Sequence, residues 1–490
     1  MKPILVLIIL TLLTACNEPQ HNLRFGLSKA PISLDPRFAT DATSSRINRL
    51  LYRQLVDFDD KLRPTPDLAT WQQLTPTHYR FTLDTEGREF HNGMRLTAYD
   101  VKATYEFILD ANNASPHRGS LLLINQIKVQ DENTLDFILS KADILFPGRL
   151  VVGIMPVTLI KEKHAFNKSP VGSGKLKLLD WSQSGHLFLT RQSDGQVIEF
   201  LEVKKPLVRS LKLVRGEVDI IQNDLSPELL TWLKQRSEIK ITKRQGSNFS
   251  YFAFNMQDSV TKQLAVREAI AYAINREEII RYVLGDAARP ASSFLLSSTH
   301  WAGHPGLPNY QYNPVKAKAL LKQAGVEKPL KISYKTSNNA TRIRIATVVK
   351  QQLSKVGIDM DLRTYDWGTF YGDVKAGRFQ TYSLAWVGIK MPDIFRYVFH
   401  SSSIPANGGA NRGLLNSPKI DRLIEQAEQA SSLEDGAILY RALQKEFFKE
   451  LPYIPLWYED HVLATNQRVK GYTLAADGNY DSLISAQIIN

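Results

Sequence analysis

Four constellations in this chain have residue types at a spacing that chemistry could use. In Leu13-Thr14-Ala15-Cys16, small and apolar residues lead to the sole cysteine, whose thiolate is a strong nucleophile suited to alkylation by a lipid. His300 and His304 stand four apart, as zinc ligands on a helix would, but Gly303 and Pro305 disfavour that helix and no third ligand is evident. Asp57, Asp59 and Asp60 form a carboxylate cluster in a turn-like stretch before Lys61. Acid and base work would require surroundings that push their pKa values apart, and the sequence shows none. Gly172-Ser173-Gly174 lacks the further glycine and the Lys-Ser/Thr pair that cradle phosphates. No Gly-x-Ser-x-Gly elbow or His-Glu-x-x-His pair occurs. The histidines are expected in a loop and the aspartates at the surface. No catalytic residue, metal or cofactor is indicated, and an enzyme is not expected.

The elements around these groups begin with an export signal. Lys2 supplies a positive start, and Ile4 to Leu13 is an apolar run broken only by Thr11. It is shorter than the roughly 20 apolar residues a membrane span needs. Residues 1–15 are expected to direct export and to be removed. The Leu13-Cys16 stretch then looks like a bacterial lipobox, with lipid joined to the Cys16 thiol. A cell-envelope or periplasmic location, anchored to a membrane, follows. One cysteine also excludes an internal disulfide framework.

At 490 residues the chain exceeds what one hydrophobic core supports, so two or more lobes are expected. Its composition, 43% hydrophobic and 22% charged, is that of a folded chain. The net charge of +12 is spread among acidic residues, as in Lys161-Glu162-Lys163, and export argues against a nucleic-acid partner.

Leu23, Phe25 and Leu27 alternate as in a strand. Thr97-Ala98-Tyr99-Asp100 has capping-box character and opens a helix with Val101, Tyr105 and Ile108 on one face. Short apolar runs separated by Gly, Pro and Ser predict strands and turns from about Leu122 to Leu201. Beyond Tyr251, Val266, Ala269, Ile270, Ala273 and Ile274 make a helical face. Asn313-Pro314 starts a second helix that Gly325 ends. Alternation at Leu330, Ile332 and Tyr334, a helical face at Ala346, Val349, Leu353 and Val356, and alternation again at Ile358, Met360 and Leu362 predict a βαβ unit with parallel strands. Helices after Ser417-Pro418 and over Leu439 to Phe448 follow, and Pro452 and Pro455 return the chain to extended form.

Ordered motifs run through the whole chain: Leu34-Asp35-Pro36, Pro66-Asp67-Leu68-Ala69, Phe90-His91-Asn92-Gly93 with Leu96-Thr97-Ala98-Tyr99-Asp100-Val101, Phe252-Ala253-Phe254-Asn255, Val266-Arg267-Glu268-Ala269-Ile270 and Tyr312-Asn313-Pro314. In these motifs the chain resembles the peptide- and nickel-type (family 5) substrate-binding proteins of bacterial ABC transporters. The resemblance implies an α/β, two-lobed, periplasmic-binding-protein-like fold with a discontinuous larger lobe. Residues 16–253 and 456–490 would form that lobe and 254–455 the second, with the ligand in the cleft between them. It implies a monomer that delivers a short peptide to the permease. Alternatives within the resemblance are a nickel chelate or haem as ligand, or a peptide-binding chaperone or receptor.

Thr364-Tyr365-Asp366-Trp367-Gly368 is similar to a segment of dipeptide-binding members, and Trp386 corresponds to a later tryptophan. The resemblance thus nominates Tyr365, Trp367 and Trp386 as aromatic cleft residues, and Asp393 and Arg412 for a peptide's ammonium and carboxylate. Where peptide-binding members tend to show Asp-Pro-Asp, this chain has Met391-Pro392-Asp393, one acidic group fewer.

Overall fold

The structure, a computed structural model, describes residues 22–182, 185–308, 310–326 and 329–489. The expected export segment and Cys16 lie outside the described residues. One eleven-stranded sheet runs through the molecule. From edge to edge it is Ile358–Tyr365, Leu330–Ser337, Thr381–Trp386, Ile239–Phe254, Tyr453–Asn466, Ile220–Gln222, Leu23–Leu27, Val197–Glu202, His186–Arg191 and Leu176–Trp181, with Ala288–Pro290 paired beside Tyr453–Asn466.

Its two central strands, Ile239–Phe254 and Tyr453–Asn466, are antiparallel and long enough to belong to both lobes. Their register shifts between Arg244 and Asn248. A Cβ on Gly246, inside that shift, would stand 2.4 Å from the Glu459 carbonyl oxygen, so glycine is required where the backbones approach. The cores change at the same place. Before it, Ile239 and Ala464 pack with Leu213, Val218, Ile221 and Leu233. After it, strand alternation sends Phe249, Tyr251 and Ala253 into an aromatic core with Tyr453 and Tyr458. Phe252, Phe254, Ile454 and Trp457 enter a second core on the other face.

The first lobe adds a four-stranded sheet, Ala69–Thr75, His78–Leu83, Thr134–Leu139 and Ile124–Val129, covered by the helix Ala98–Leu109. That helix starts as its sequence predicts: the Asp100 carboxylate accepts hydrogen bonds from the backbone N–H and the hydroxyl of Thr97. In the second lobe the predicted βαβ unit is present. Leu330–Ser337 and Ile358–Tyr365 pair in parallel, and the intervening helix Ala340–Ser354 buries Ile345, Ala346, Val349 and Leu353. Asn313 caps Pro314–Gln323, and Gly325 follows it at a φ of +63°. The last long helix spans Leu433–Glu450, starting earlier than apolar spacing alone indicates because the Ser432 hydroxyl caps the Asp435 N–H at 3.0 Å.

Candidate ligand-binding cleft

Three segments converge between the lobes. The helix Ala42–Leu51 begins at Asp41, whose carboxylate accepts from the Ser44 N–H at 2.9 Å. It buries Ile47, Leu50 and Leu51 and carries Arg46, Asn48 and Arg49 at the cleft. The strand Thr381–Trp386 ends in the loop Val387 to Pro392, which turns at Gly388 with a φ of +69°. The third segment is Asp477 to Asn479. The Gly478 carbonyl accepts from Gln222 Nε2 at 2.8 Å, and a Cβ there would stand 2.8 Å from the His461 ring, which fixes this turn.

Together with Pro36, Tyr52, His117 and Val151 to Gly153, these segments enclose a cavity of about 500 Å³. A larger recess of about 850 Å³ lies in the first lobe alone, where Arg24 and Arg468 are both bound to Asp219. The smaller cavity has walls from both lobes, which is where closure excludes water.

The charged groups of the cleft are mostly paired internally. Arg49 donates to Asp481 at 2.8 Å and to both oxygens of Asp57. Lys390 Nζ lies 2.9 Å from Asp477 Oδ2 across the cleft. Burial pushes the Asp477 carboxyl up, but the Lys390 charge and the Asn479 N–H outweigh it, and the group sits below the ordinary aspartate range. Burial likewise depresses the His117 imidazole. Arg46 lies with its guanidinium 5.4 Å from the centre of the Tyr480 ring and has no carboxylate at ion-pair distance among the described residues. The buried Oδ1 of Asn48 has no hydrogen-bond partner, while its Nδ2 donates to the Ser33 carbonyl.

The lobes also meet beside the cavity. Arg149 Nη1 reaches Asp393 Oδ2 at 3.0 Å while its Nε holds Asp143 at 2.8 Å. The Trp301 backbone N–H donates to the Lys61 carbonyl, and the Ile144 backbone N–H to that of Glu428. Leu145 enters the aromatic core of the second lobe, and Met391 packs on Gly148, where a Cβ would clash with its sulfur. The cleft is therefore described in a closed arrangement.

The five residues nominated from sequence fall into two groups, and none is among those that line the cavity. Trp386 adjoins it through Val387 and Gly388, and stacks on Tyr251 at 6.4 Å. Arg412, 7% exposed, lies between the rings of Trp386 and Tyr371, at 5.1 and 5.3 Å, and donates to the Tyr371 hydroxyl. Trp367, 56% exposed, stacks on the outer face of the same Tyr371. Tyr365 packs at the edge of the aromatic core, with Lys335 over its ring. Asp393 is separate, paired with Arg149.

Residues 63–406 match the sequence profile of the bacterial extracellular solute-binding proteins, family 5 (middle region). The chain belongs to that family. It is 24% identical to the dipeptide-binding protein of Escherichia coli (strain K12), with 92% of each chain covered. It is also 24% identical to the oligopeptide-binding protein AppA of Bacillus subtilis (strain 168), over 94% of this chain and 90% of that one. The fold is similar to that of the ABC-transporter substrate-binding protein CtaP of Listeria monocytogenes, with a TM-score of 0.87 at 23% identity over 96% and 99% of the two chains. The family places this chain among extracellular solute-binding components of transporters, which are not enzymes. The two-lobed α/β architecture expected from its motifs is the one observed.

As a family 5 chain it carries cleft residues that its motifs did not reveal. Arg46 and Asn48 lie within an ordinary amphipathic helix pattern, and Asp477 comes from a turn far along the chain. Lys390 was within reach, since it immediately precedes the segment where an acidic group is missing. His300 and His304 are in a loop, as expected. The His300 imidazole, pushed down to about 4 by burial, bonds the Lys390 carbonyl through Nε2 and accepts the Ala302 N–H at Nδ1, which makes it a fixture of the cleft loop.

Proposed function

We propose that this protein captures a short peptide in the interlobe cavity and delivers it, lobes closed, to the permease of an ABC importer. The observation that carries this reading is the cavity of about 500 Å³ between lobes joined by two continuous strands. Its volume falls in the range of small-ligand sites, roughly 300 to 1,000 Å³. The relatives named for dipeptides and oligopeptides support a peptide as the solute.

In this proposal the hinge is the register shift at Arg244 to Asn248 and the facing Glu459 to His461. The larger lobe then extends a few residues less on the way out, and begins a few later on the return, than residues 253 and 456. Trp386 acts as the wall behind Val387 and Gly388, Arg412 supports that wall, and Asp393 acts on closure through Arg149. Tyr365 and Trp367 brace Lys335 and Tyr371. The protein works as a monomer in the periplasm, tethered by lipid on Cys16. No helix among the described residues is long and apolar enough to cross a membrane, so the tether would be the membrane link.

The test is native mass spectrometry of the purified protein followed by denaturation and identification of the released small molecule. Short peptides are expected. A metal chelate or haem in their place overturns the peptide reading while leaving the cleft as the site.

A further inference from the structure

The acidic groups at and behind the cleft share one property: each is already in contact with a base of this chain, although Asp57 and Asp481 share Arg49, and Asp143 and Asp393 share Arg149. Asp477 receives Lys390 Nζ at 2.9 Å, Asn479 Nδ2 at 2.6 Å and the Asn479 N–H at 3.0 Å. Asp57 and Asp481 hold Arg49, and Asp393 holds Arg149. The cleft loop from Val387 to Pro392 contributes a lysine and no acid. A ligand amine entering this space would meet no free carboxylate, and an unpaired charge in a closed site is strongly disfavoured.

Arg46 is in the opposite condition. It lines the cavity, its guanidinium lies over Tyr480, and no carboxylate reaches it among the described residues. A half-buried guanidinium offers a carboxylate two parallel charge-assisted hydrogen bonds. Nearby on the same helix, the unpartnered Asn48 Oδ1 can accept a neutral N–H or O–H. The turn of Gly478 confines Arg46, since a Cβ there would stand 3.0 Å from Nη2.

We propose that Lys390 supplies, from within the chain, the cation that a ligand amine would otherwise bring to Asp477, so that the cleft takes an anionic solute without a free amine, bound through Arg46. On the peptide reading, on which this rests, the ligands are short peptides whose amino end is blocked and whose carboxylate is free.

Isothermal titration of the full-length protein in detergent with trialanine, N-acetyl-trialanine and trialanine amide tests this. N-acetyl-trialanine is expected to bind at least tenfold more tightly than trialanine, and the amide most weakly. Arg46→Gln should weaken the acetylated peptide at least tenfold. Lys390→Met frees Asp477 and should strengthen trialanine relative to its acetylated form, a gain that misfolding does not produce. Trialanine binding as tightly as the acetylated peptide, or tighter, overturns the proposal. If none of the three binds, the peptide reading fails separately. The charge class is then decided by thermal shifts with citrate and spermidine: stabilisation by citrate that Arg46→Gln abolishes supports the proposal, and stabilisation by spermidine or by neither overturns it.

Discussion

Arg149 Nη1 and Asp393 Oδ2 stand 3.0 Å apart across the two lobes, and Asp143 holds the same guanidinium from the first lobe at 2.8 Å. Asp393 thereby joins a residue of one lobe to a residue of the other. In the proposed closure, a carboxylate engaged in this way would act on the open-to-closed equilibrium, and on a ligand through it.

Asp393→Ala should therefore open the ligand-free protein. Losing this contact costs about 0.2 to 1 kcal/mol, since Arg149 retains Asp143 and burial of the Asp393 carboxyl offsets most of its attraction to Arg149. Small-angle scattering is expected to show a slightly larger radius of gyration without ligand, and apparent affinity should fall about two- to fivefold with that shift in population. An unchanged scattering profile combined with lost binding would instead put Asp393 on the ligand.

The second interlobe pair has a defined pH window. Asp477 is held below the ordinary carboxylate range against Lys390 in the closed arrangement and returns toward about 4 when the lobes part. A depressed pKa contributes stability that is present above the open-state value and is lost as pH falls through the closed-state value. This pair should thus favour closure from neutral pH down to about 4 and release below it. Scattering measured from pH 7 to pH 3 should show compactness lost in that acid range, and the Lys390→Met protein should lack that component. Burial raises Asp393, in the opposite sense, so the comparison between the two proteins isolates Asp477.

Gly246 sits in the register shift of the crossing strands, with the Glu459 carbonyl oxygen 2.4 Å from where a Cβ would be. Gly246→Val forces the two strands apart at that point. A loss of about 1 to 3 kcal/mol in stability is expected, as for other overpacked positions. Urea unfolding should report it as a lower midpoint, accompanied by altered closure in scattering.

Much of the fold was legible because periodicity and caps act locally. Leu23, Phe25 and Leu27 are buried as their alternation predicts, and the parallel pairing of Leu330–Ser337 with Ile358–Tyr365 follows from the helix between them. The crossing strands were harder to divide between lobes. Phe249 to Phe254 and Ile454 to Tyr458 are, Ser250 aside, apolar and buried on both faces, so alternation carries no signal of where one core ends. The cleft was the least legible. Arg46, Lys390 and Asp477 are far apart in sequence, and their charges acquire meaning only from which of them are paired. Tyr365, Trp367 and Trp386 stand out by residue type and by resemblance, and Arg412 with Trp386 and Tyr371 forms a stack in the second lobe.

That stack yields the remaining prediction. Arg412 is 7% exposed and has no carboxylate at ion-pair distance among the described residues; its contacts are two aromatic rings and the Tyr371 hydroxyl. Such a guanidinium contributes through packing and cation–π attraction, about 0.5 to 2 kcal/mol. Arg412→Met keeps much of the volume and should change stability by less than about 1.5 kcal/mol, as volume-conserving replacements do. Arg412→Ala should lose about 2 to 4 kcal/mol, because the space between Trp386 and Tyr371 cannot close. Ligand affinity should follow the same order, nearly retained with Met and lost with Ala, because Trp386 stands behind Val387 and Gly388. Titration and thermal unfolding of both variants check this. Equal loss of affinity in the two, with stability retained in Arg412→Met, would mean that the guanidinium itself holds the ligand.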